Sequence, residues 1–368
     1  MRTTSAAIAS IAAAFVVGTF AASGAQAGTP RVVRGTAVTL SPTRSFVIPR
    51  RRDREPPDAV AVGGPYVAVA EGSLVNRGCP PLDLWHTATG AIRTLRPAAP
   101  DPDCAGGPDG IGRVWVAVGR SQLAYTLEEI TPYMEGAGAG SVDSAVYLLE
   151  LGTSRYPARI LNASFTTGPD LTDERYGQLF SDGKWVIAPR FRVDNSGGSQ
   201  MLETHVYEFG SGKGVTWSLK VGIVLAANRG RILTRRKQRL ILLRVHGEHL
   251  WSAPQRGPAA LEGRFVVAVH RGVISVYDAR TGHRRTRRRI CQPHEFGGLY
   301  GLQGGLVAYR AQRGIHLLRL ANMRDVVARF PLRATRVWLS PTGLVYFDGK
   351  KRFGFVPRAR LLSALGHT

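Results

Sequence analysis

The hydrophobic positions of this chain fall in short, dense runs, each entered through a turn signal. The stretch GRFVVAVHRGVISVYDARTGHRRTRRR, from Gly263 to Arg289, shows the unit. Phe265 to Val269 is an unbroken apolar run, the pattern of a strand covered on both faces. His270-Arg271-Gly272 is a turn signal, and Val273 to Tyr277 is a second run rich in β-formers. Thr281-Gly282 turns the chain into a basic third segment, His283 to Arg289. Such a unit holds too little sequence to bury its own core, so it must stack on copies of itself.

The copies are present. A turn followed by a compact apolar strand recurs as Gly64-PYVAVA, Gly112-RVWVAV, Gly183-KWVIA, Gly230-RILT, Gly263-RFVVAV, Gly304-GLVAY and Thr342-GLVYF. The central intervals, such as Gly263 to Gly304, match the about 40–45 residues of a four-stranded propeller blade. The interval from Gly230 to Gly263 is the tightest for four strands. The next strand recurs as well: Leu82 to Gly90 aligns with Ile274 to Gly282, and His205 to Gly212 with Ser275 to Gly282. Tyr277-Asp278, Trp85-His86 and Tyr207-Glu208 occupy one place in their copies.

On these residues the chain resembles the WD40-like and related β-propeller repeats over about residues 56–357, with Tyr277-Asp278 where that family often has Trp-Asp. The Gly-His element of the strict family is absent. The resemblance implies an all-β fold of seven four-stranded blades, with six or eight as the alternatives. Their strands are labelled A to D from the central axis outward. In the last copy Thr335 to Leu339 reads as A, Leu344 to Phe347 as B and Arg352 to Val356 as C. The missing D strand is expected from the N-terminal stretch Thr36 to Ile48, which closes the ring and removes an open edge.

The N-terminus reads as an export signal: Arg2, an uncharged apolar stretch from Ala6 to Ala22, and the small-x-small site Ala25-Gln26-Ala27. The expected organisation is a signal peptide over 1–27, an N-terminal segment over 28–55 and a propeller over 56–368. No later stretch is apolar enough to cross a bilayer, so the mature chain is expected to be secreted or held at the cell envelope, as a monomer. Export permits a disulfide. Cys79 and Cys104 fall in loops on one face of adjacent blades and are the expected pair; Cys291, several blades away, is expected to be unpaired.

Charge sharpens the picture. Lys and Arg number 49 against 26 Asp and Glu, a formal net charge of +23. The cations recur in the short B–C turns of the last four copies: Arg235, Arg236, Lys237 and Arg239; His270 and Arg271; Arg310 and Arg313; Lys350, Lys351 and Arg352. Alternating strand direction puts all B–C turns on the face that carries the D–A connections. Three longer B–C connections, 71–81, 119–143 and 191–204, belong to that face too.

No sequence pattern carries catalysis. His246-Gly247-Glu248-His249 reads as a hairpin turn without a third metal ligand. Asp101-Pro102-Asp103 is a polar loop, and Asn162-Ala163-Ser164 is a bare glycosylation sequon. His294-Glu295 could face the channel mouth. Neither a metal nor a cofactor is expected. The expected function is a secreted, non-catalytic binding scaffold for an anionic polymer or envelope component, or for a protein partner through the long loops. The alternative is a propeller-type hydrolase or lyase with its site at the channel mouth. The fold itself does not choose between them.

Overall fold

The computed structural model describes residues 36–48, 57, 59–70, 82–95, 115–119, 121–131, 141–152, 157–166, 172–194, 199–209, 215–312 and 314–366. These residues form seven sheets, one per blade, each built on four antiparallel strands. Blade 1 runs Ala59–Gly63, Tyr66–Ala70, Leu82–His86 and Ile92–Leu95. Blade 4 runs Ile223–Asn228, Arg231–Arg236, Arg239–Arg244 and His249–Pro254, so the tight interval does hold four strands. Blade 5 runs Ala259–Glu262, Phe265–His270, Val273–Asp278 and Arg284–Arg289; blade 6 runs Phe296–Gln303, Leu306–Ala311, Gly314–Arg319 and Arg324–Arg329.

Two-sided burial explains the apolar runs. In the B strand of blade 5, Val266 and Ala268 pack into the seam with blade 4, while Val267 and Val269 pack into the seam with blade 6. Successive side chains point to opposite faces of a strand, so each must be apolar when both faces meet a neighbour. Seven such clusters join each blade to the next. The last, with Phe353 and Phe355 of blade 7 against Val67, Val69 and Trp85 of blade 1, closes the ring.

Polar bonds repeat across the seams. The Gly230 N–H donates to Asp182 Oδ2 (2.8 Å), Gly263 N–H to Asn228 Oδ1 (3.0 Å), and Gly304 N–H to Glu262 Oε2 (3.0 Å). In each case the residue ending one A strand, or entering its turn, holds the A–B turn of the next blade. Farther out, Trp217 Nε1 donates to Val245 O (2.7 Å) and Trp251 Nε1 to Ala279 O (3.1 Å), tying a D strand to the following blade.

Closure uses the N-terminal segment in two pieces. Strand β1 (Thr36–Thr39) pairs in parallel with Arg324–Arg329 as a fifth strand of blade 6. Strand β2 (Arg44–Val47) pairs antiparallel with Arg352–Pro357 and is the D strand of blade 7, beside Arg336–Ser340 and Gly343–Phe347. The chain ends in a short helix, α1 (Arg358–Ala364), whose Leu361, with Leu365 just beyond it, is buried in the seam of blades 6 and 7.

Blades 2 and 3 depart from the sequence reading. The run after Gly112 is not a B strand: Val116–Val118 is the A strand of blade 2, and its B strand is Gln122–Thr131. Both strands are buried on both sides, so the apolar run alone does not tell them apart. Most of 119–143 is therefore strand, because Gln122–Thr131 pairs with Ser141–Glu150. Likewise 191–204 is the upper part of a long ribbon, Trp185–Asp194 against Ser199–Glu208. These four strands have 10 residues each, against 5 or 6 in the B and C strands of the other blades. At about 3.3 Å per residue the ribbons rise roughly 13 Å farther than the other hairpins. The connection 71–81, Cys79 and Cys104 lie outside the described residues.

Candidate functional site

The four cationic turns do share one face. Blade 4 turns at Lys237-Gln238, blade 5 at Arg271-Gly272, blade 6 between Ala311 and Gly314, and blade 7 at Asp348 to Lys351. Contacts with the D–A connections fix that assignment. Arg235 Nη1 donates to Gly257 O (3.2 Å), and the Gln312 N–H donates to Glu295 O (2.7 Å).

The turns are stiff. Lys237, Arg271 and Gln312 have φ of 55°, 49° and 53°. Two-residue hairpin turns require this left-handed conformation, which matches the twist of the flanking strands. In blade 7, Asp348 Oδ1 accepts the backbone N–H groups of Lys350 (2.8 Å), Lys351 (3.0 Å) and Arg352 (3.0 Å). Arg236, Lys237, Arg271, Arg310, Lys350, Lys351 and Arg352 are exposed. His270 is half-buried. Arg235 is half-buried and spent on Gly257, and Arg239 donates to Ser252 Oγ (2.8 Å). Arg313 lies outside the described residues.

The structure adds two cations that the sequence reading missed. Arg329 ends the D strand of blade 6, and Arg333 lies in the connection to blade 7. With Arg310 they line a cavity of about 560 Å³ whose walls include Ile315, Phe330 and Leu332. The only sequence signal is spacing: ARFPLRAT places an arginine on each side of the Phe-Pro-Leu step. A second cavity, about 420 Å³, opens on the opposite face beside Trp185, Arg229, Arg231, Arg244, His246 and Arg280.

Three of the groups considered for catalysis or metal binding, Glu295, His246 and Glu248, have structural partners. Glu295 closes a short turn by accepting from the Gln292 N–H (2.7 Å), and it accepts from Gln312 Nε2 (2.7 Å). These bonds hold its carboxyl below the usual range, the backbone N–H contributing most. His246 stacks on Trp217 with ring centroids 4.8 Å apart, and Glu248 pairs with Arg244 (3.1 Å). Among the described residues no three His, Cys, Asp or Glu side chains gather as a metal site.

One relay-like arrangement was not foreseen. In blade 3, Glu203 Oε1 lies 2.8 Å from His205 Nε2, and His205 Nδ1 lies 2.8 Å from the Tyr176 hydroxyl. Glu203 also accepts from Arg190 (3.1 Å), which binds Glu174 in turn. The His205 bond holds the Glu203 carboxyl low. Tyr176, however, is 1% exposed, and burial pushes its hydroxyl up, the opposite of what a nucleophile needs. The group braces the base of the long ribbon. Tyr309, His316 and Asp325 in blade 6 are similarly buried, with the Tyr309 hydroxyl 2.8 Å from Asp325 Oδ2.

The architecture defines the class of protein: a seven-bladed β-propeller. No protein-family model matches the sequence, and no curated protein matches it. Solved structures do. Kluyveromyces lactis Hsv2, in a form with loop 6CD replaced by a Gly-Ser linker, superposes with a TM-score of 0.50 at 11% identity, over 82% of this chain and 90% of that one. The β-propeller domain of Myceliophteria thermophila Cps50 (Swd1) gives 0.48 at 12% identity, over 85% and 100%. BamB from Moraxella catarrhalis gives 0.43 at 12% identity, over 82% and 86%. At such identities the likeness concerns the fold.

Proposed function

We propose that the protein is an exported, non-catalytic binding scaffold whose B–C and D–A face engages a polyanion of the cell envelope or the extracellular space. The observation that carries this reading is the row of four consecutive hairpins, each presenting at least one cation on one face. Their backbones are fixed by turn geometry and by Asp348, which removes the backbone part of the ordering cost of binding. Guanidinium groups donate in a fork that suits phosphate and carboxylate oxygens. The +23 net charge adds long-range attraction for an anionic chain. Export rests on the leader pattern over 1–27, and N-terminal sequencing of the mature chain checks it.

The test replaces Arg236, Arg271 and Lys351 together by Ser. The control replaces exposed outer-strand residues, Arg284 and Arg287. Arg285 is unsuitable as a control because it is ion-paired with Asp278. Elution of the turn variant from heparin should move to markedly lower salt than that of the control, since phosphate-type contacts weaken steeply with salt. Equal loss per charge in both variants would refute a binding face.

A second reading is favoured by the long ribbons of blades 2 and 3, which rise from the same face as the cations. We infer that they would meet a protein partner from one side. Shortening the ribbon of Trp185–Asp194 and Ser199–Glu208 should then abolish co-purification of that partner while heparin retention persists.

A further inference from the structure

We propose that the cavity at the B–C end of blade 6 binds a small organic phosphate monoester with an apolar or aromatic body, held by Arg310, Arg329 and Arg333. The proposal deepens the reading of the basic face, on which this cavity opens.

Three different segments deliver the three guanidinium groups. Arg310 comes from the end of the B strand, Arg329 from the end of the D strand and Arg333 from the connection to blade 7. All three are exposed, and among the described residues no acidic side chain lines the cavity. Among the described residues none of these side chains is in a hydrogen bond or an ion pair. The cavity on the opposite face is different. There Arg244 is neutralised by Glu248 at 3.1 Å, and Arg231 donates to Gly263 O. Of the four arginines there, only Arg229 and Arg280 are without a side-chain bond among the described residues, against all three at the blade 6 cavity, which marks the blade 6 site as the better anion receptor.

The number of forks selects the anion. One guanidinium fork satisfies a carboxylate, whereas three call for more oxygens and more charge. A phosphate monoester supplies three terminal oxygens and close to two negative charges at neutral pH. The walls select the rest of the molecule. Ile315 and Ala328 belong to the core between blades 6 and 7. The Phe330 ring is braced by Tyr346, centroids 4.5 Å apart. Inorganic phosphate would leave this apolar wall wet; a carbon body would cover it. The volume of about 560 Å³ suits a small molecule rather than a polymer segment.

Isothermal titration at physiological ionic strength with phenyl phosphate, inorganic phosphate and vesicles containing phosphatidate tests the proposal. The expected result is one saturable phenyl phosphate site, with inorganic phosphate about tenfold weaker for lack of apolar burial. Arg329→Ser with Arg333→Ser should weaken phenyl phosphate by about tenfold or more. Their Lys counterparts should bind at an intermediate level, because charge is kept and the fork is lost. The outer-strand variant of Arg284 and Arg287 should titrate phenyl phosphate like the parent. No saturable phenyl phosphate heat, unchanged binding in the Arg329/Arg333 variant, or equal affinity for inorganic phosphate would each overturn the site. Binding to phosphatidate vesicles alone would overturn a soluble ligand. Parent protein that titrates phenyl phosphate but passes through heparin would refute the polyanion reading and uphold the cavity.

Discussion

Asp182 is where the inter-blade bonds can be measured. Its Oδ1 accepts the N–H groups of Lys184 (3.1 Å) and Trp185 (3.0 Å), closing the A–B turn of blade 3. Its Oδ2 accepts the Gly230 N–H of blade 4 at 2.8 Å. Asp182→Ala removes both functions. A side-chain cap on backbone donors contributes about 1 kcal/mol. A hydrogen bond to a charged group contributes about 1.5–3 kcal/mol. The sum is about 3 kcal/mol. Asp182→Asn keeps one oxygen, enough for the turn but not for the neighbouring blade, and should cost about 1.5 kcal/mol. A chain of this size has a urea m-value near 3 kcal/mol/M, so the Ala midpoint should fall by about 1 M and the Asn midpoint by about half that. Urea unfolding followed by tryptophan fluorescence, with m unchanged, reads the order parent, Asn, Ala. An Asn variant as stable as the parent would show that the bond across the seam contributes nothing. An Ala variant within about 0.5 kcal/mol would refute both parts of the argument.

Other predictions follow from single contacts. Gly257 has φ of 86°, and a Cβ there would lie 2.1 Å from Val269 O, so Gly257→Ala should cost more than about 3 kcal/mol in urea unfolding by prying the D–A connection off blade 5. The Arg285 bond, then the backbone N–H groups of Arg280 and Thr281, hold the Asp278 carboxyl below its usual range. A depressed folded pKa gives stability that is present above the unfolded value and is lost as pH falls through the folded value, so Asp278→Asn should flatten the acid limb of a Tm-against-pH profile. The Cys291 thiol is buried, and burial with the charges of Glu295 and Asp325 pushes its pKa up to about 11. Its peptide should stay unmodified by iodoacetamide in the native protein at neutral pH and react fully in denaturant; comparable labelling in both would contradict the burial.

Much of this fold was legible because two-sided burial writes an unbroken apolar run wherever a strand is central. Phe265 to Val269 and Leu344 to Phe347 are strands for that reason, and the turns before them carry glycine. The same cause produced the error in blade 2. An A strand and a B strand are both covered on two sides, so Trp115 to Val118 and Leu123 to Leu127 look alike. The division of 36–48 between two blades was not legible, since parallel pairing of β1 leaves no hairpin signal. Helix α1 left only a short cue, Leu361 and Leu365 four apart. Of the site, the hairpin cations were visible because a turn fixes where its residues point. Arg329 and Arg333 were not, because their approach to Arg310 depends on how one connection crosses the rim. The inter-blade bonds had a cue in retrospect: Asp182, Asn228 and Glu262 each stand at or one residue before the A–B turn.

The core and the binding face are separable in this architecture, and that separability is testable. Each blade is held by apolar seams along its flat faces, whereas the hairpin tips project beyond them. Arg236, Arg271 and Lys351 are exposed and are in no ion pair among the described residues. Replacing them removes no buried contact. It does remove positive charge from a molecule that repels itself at +23. The turn variant should therefore keep its Tm or gain slightly, and any gain should shrink as salt screens the repulsion. Heparin retention should fall in the same variant. A marked drop in Tm would mean that the tips support the fold, and the loss of retention could then no longer be assigned to a binding face.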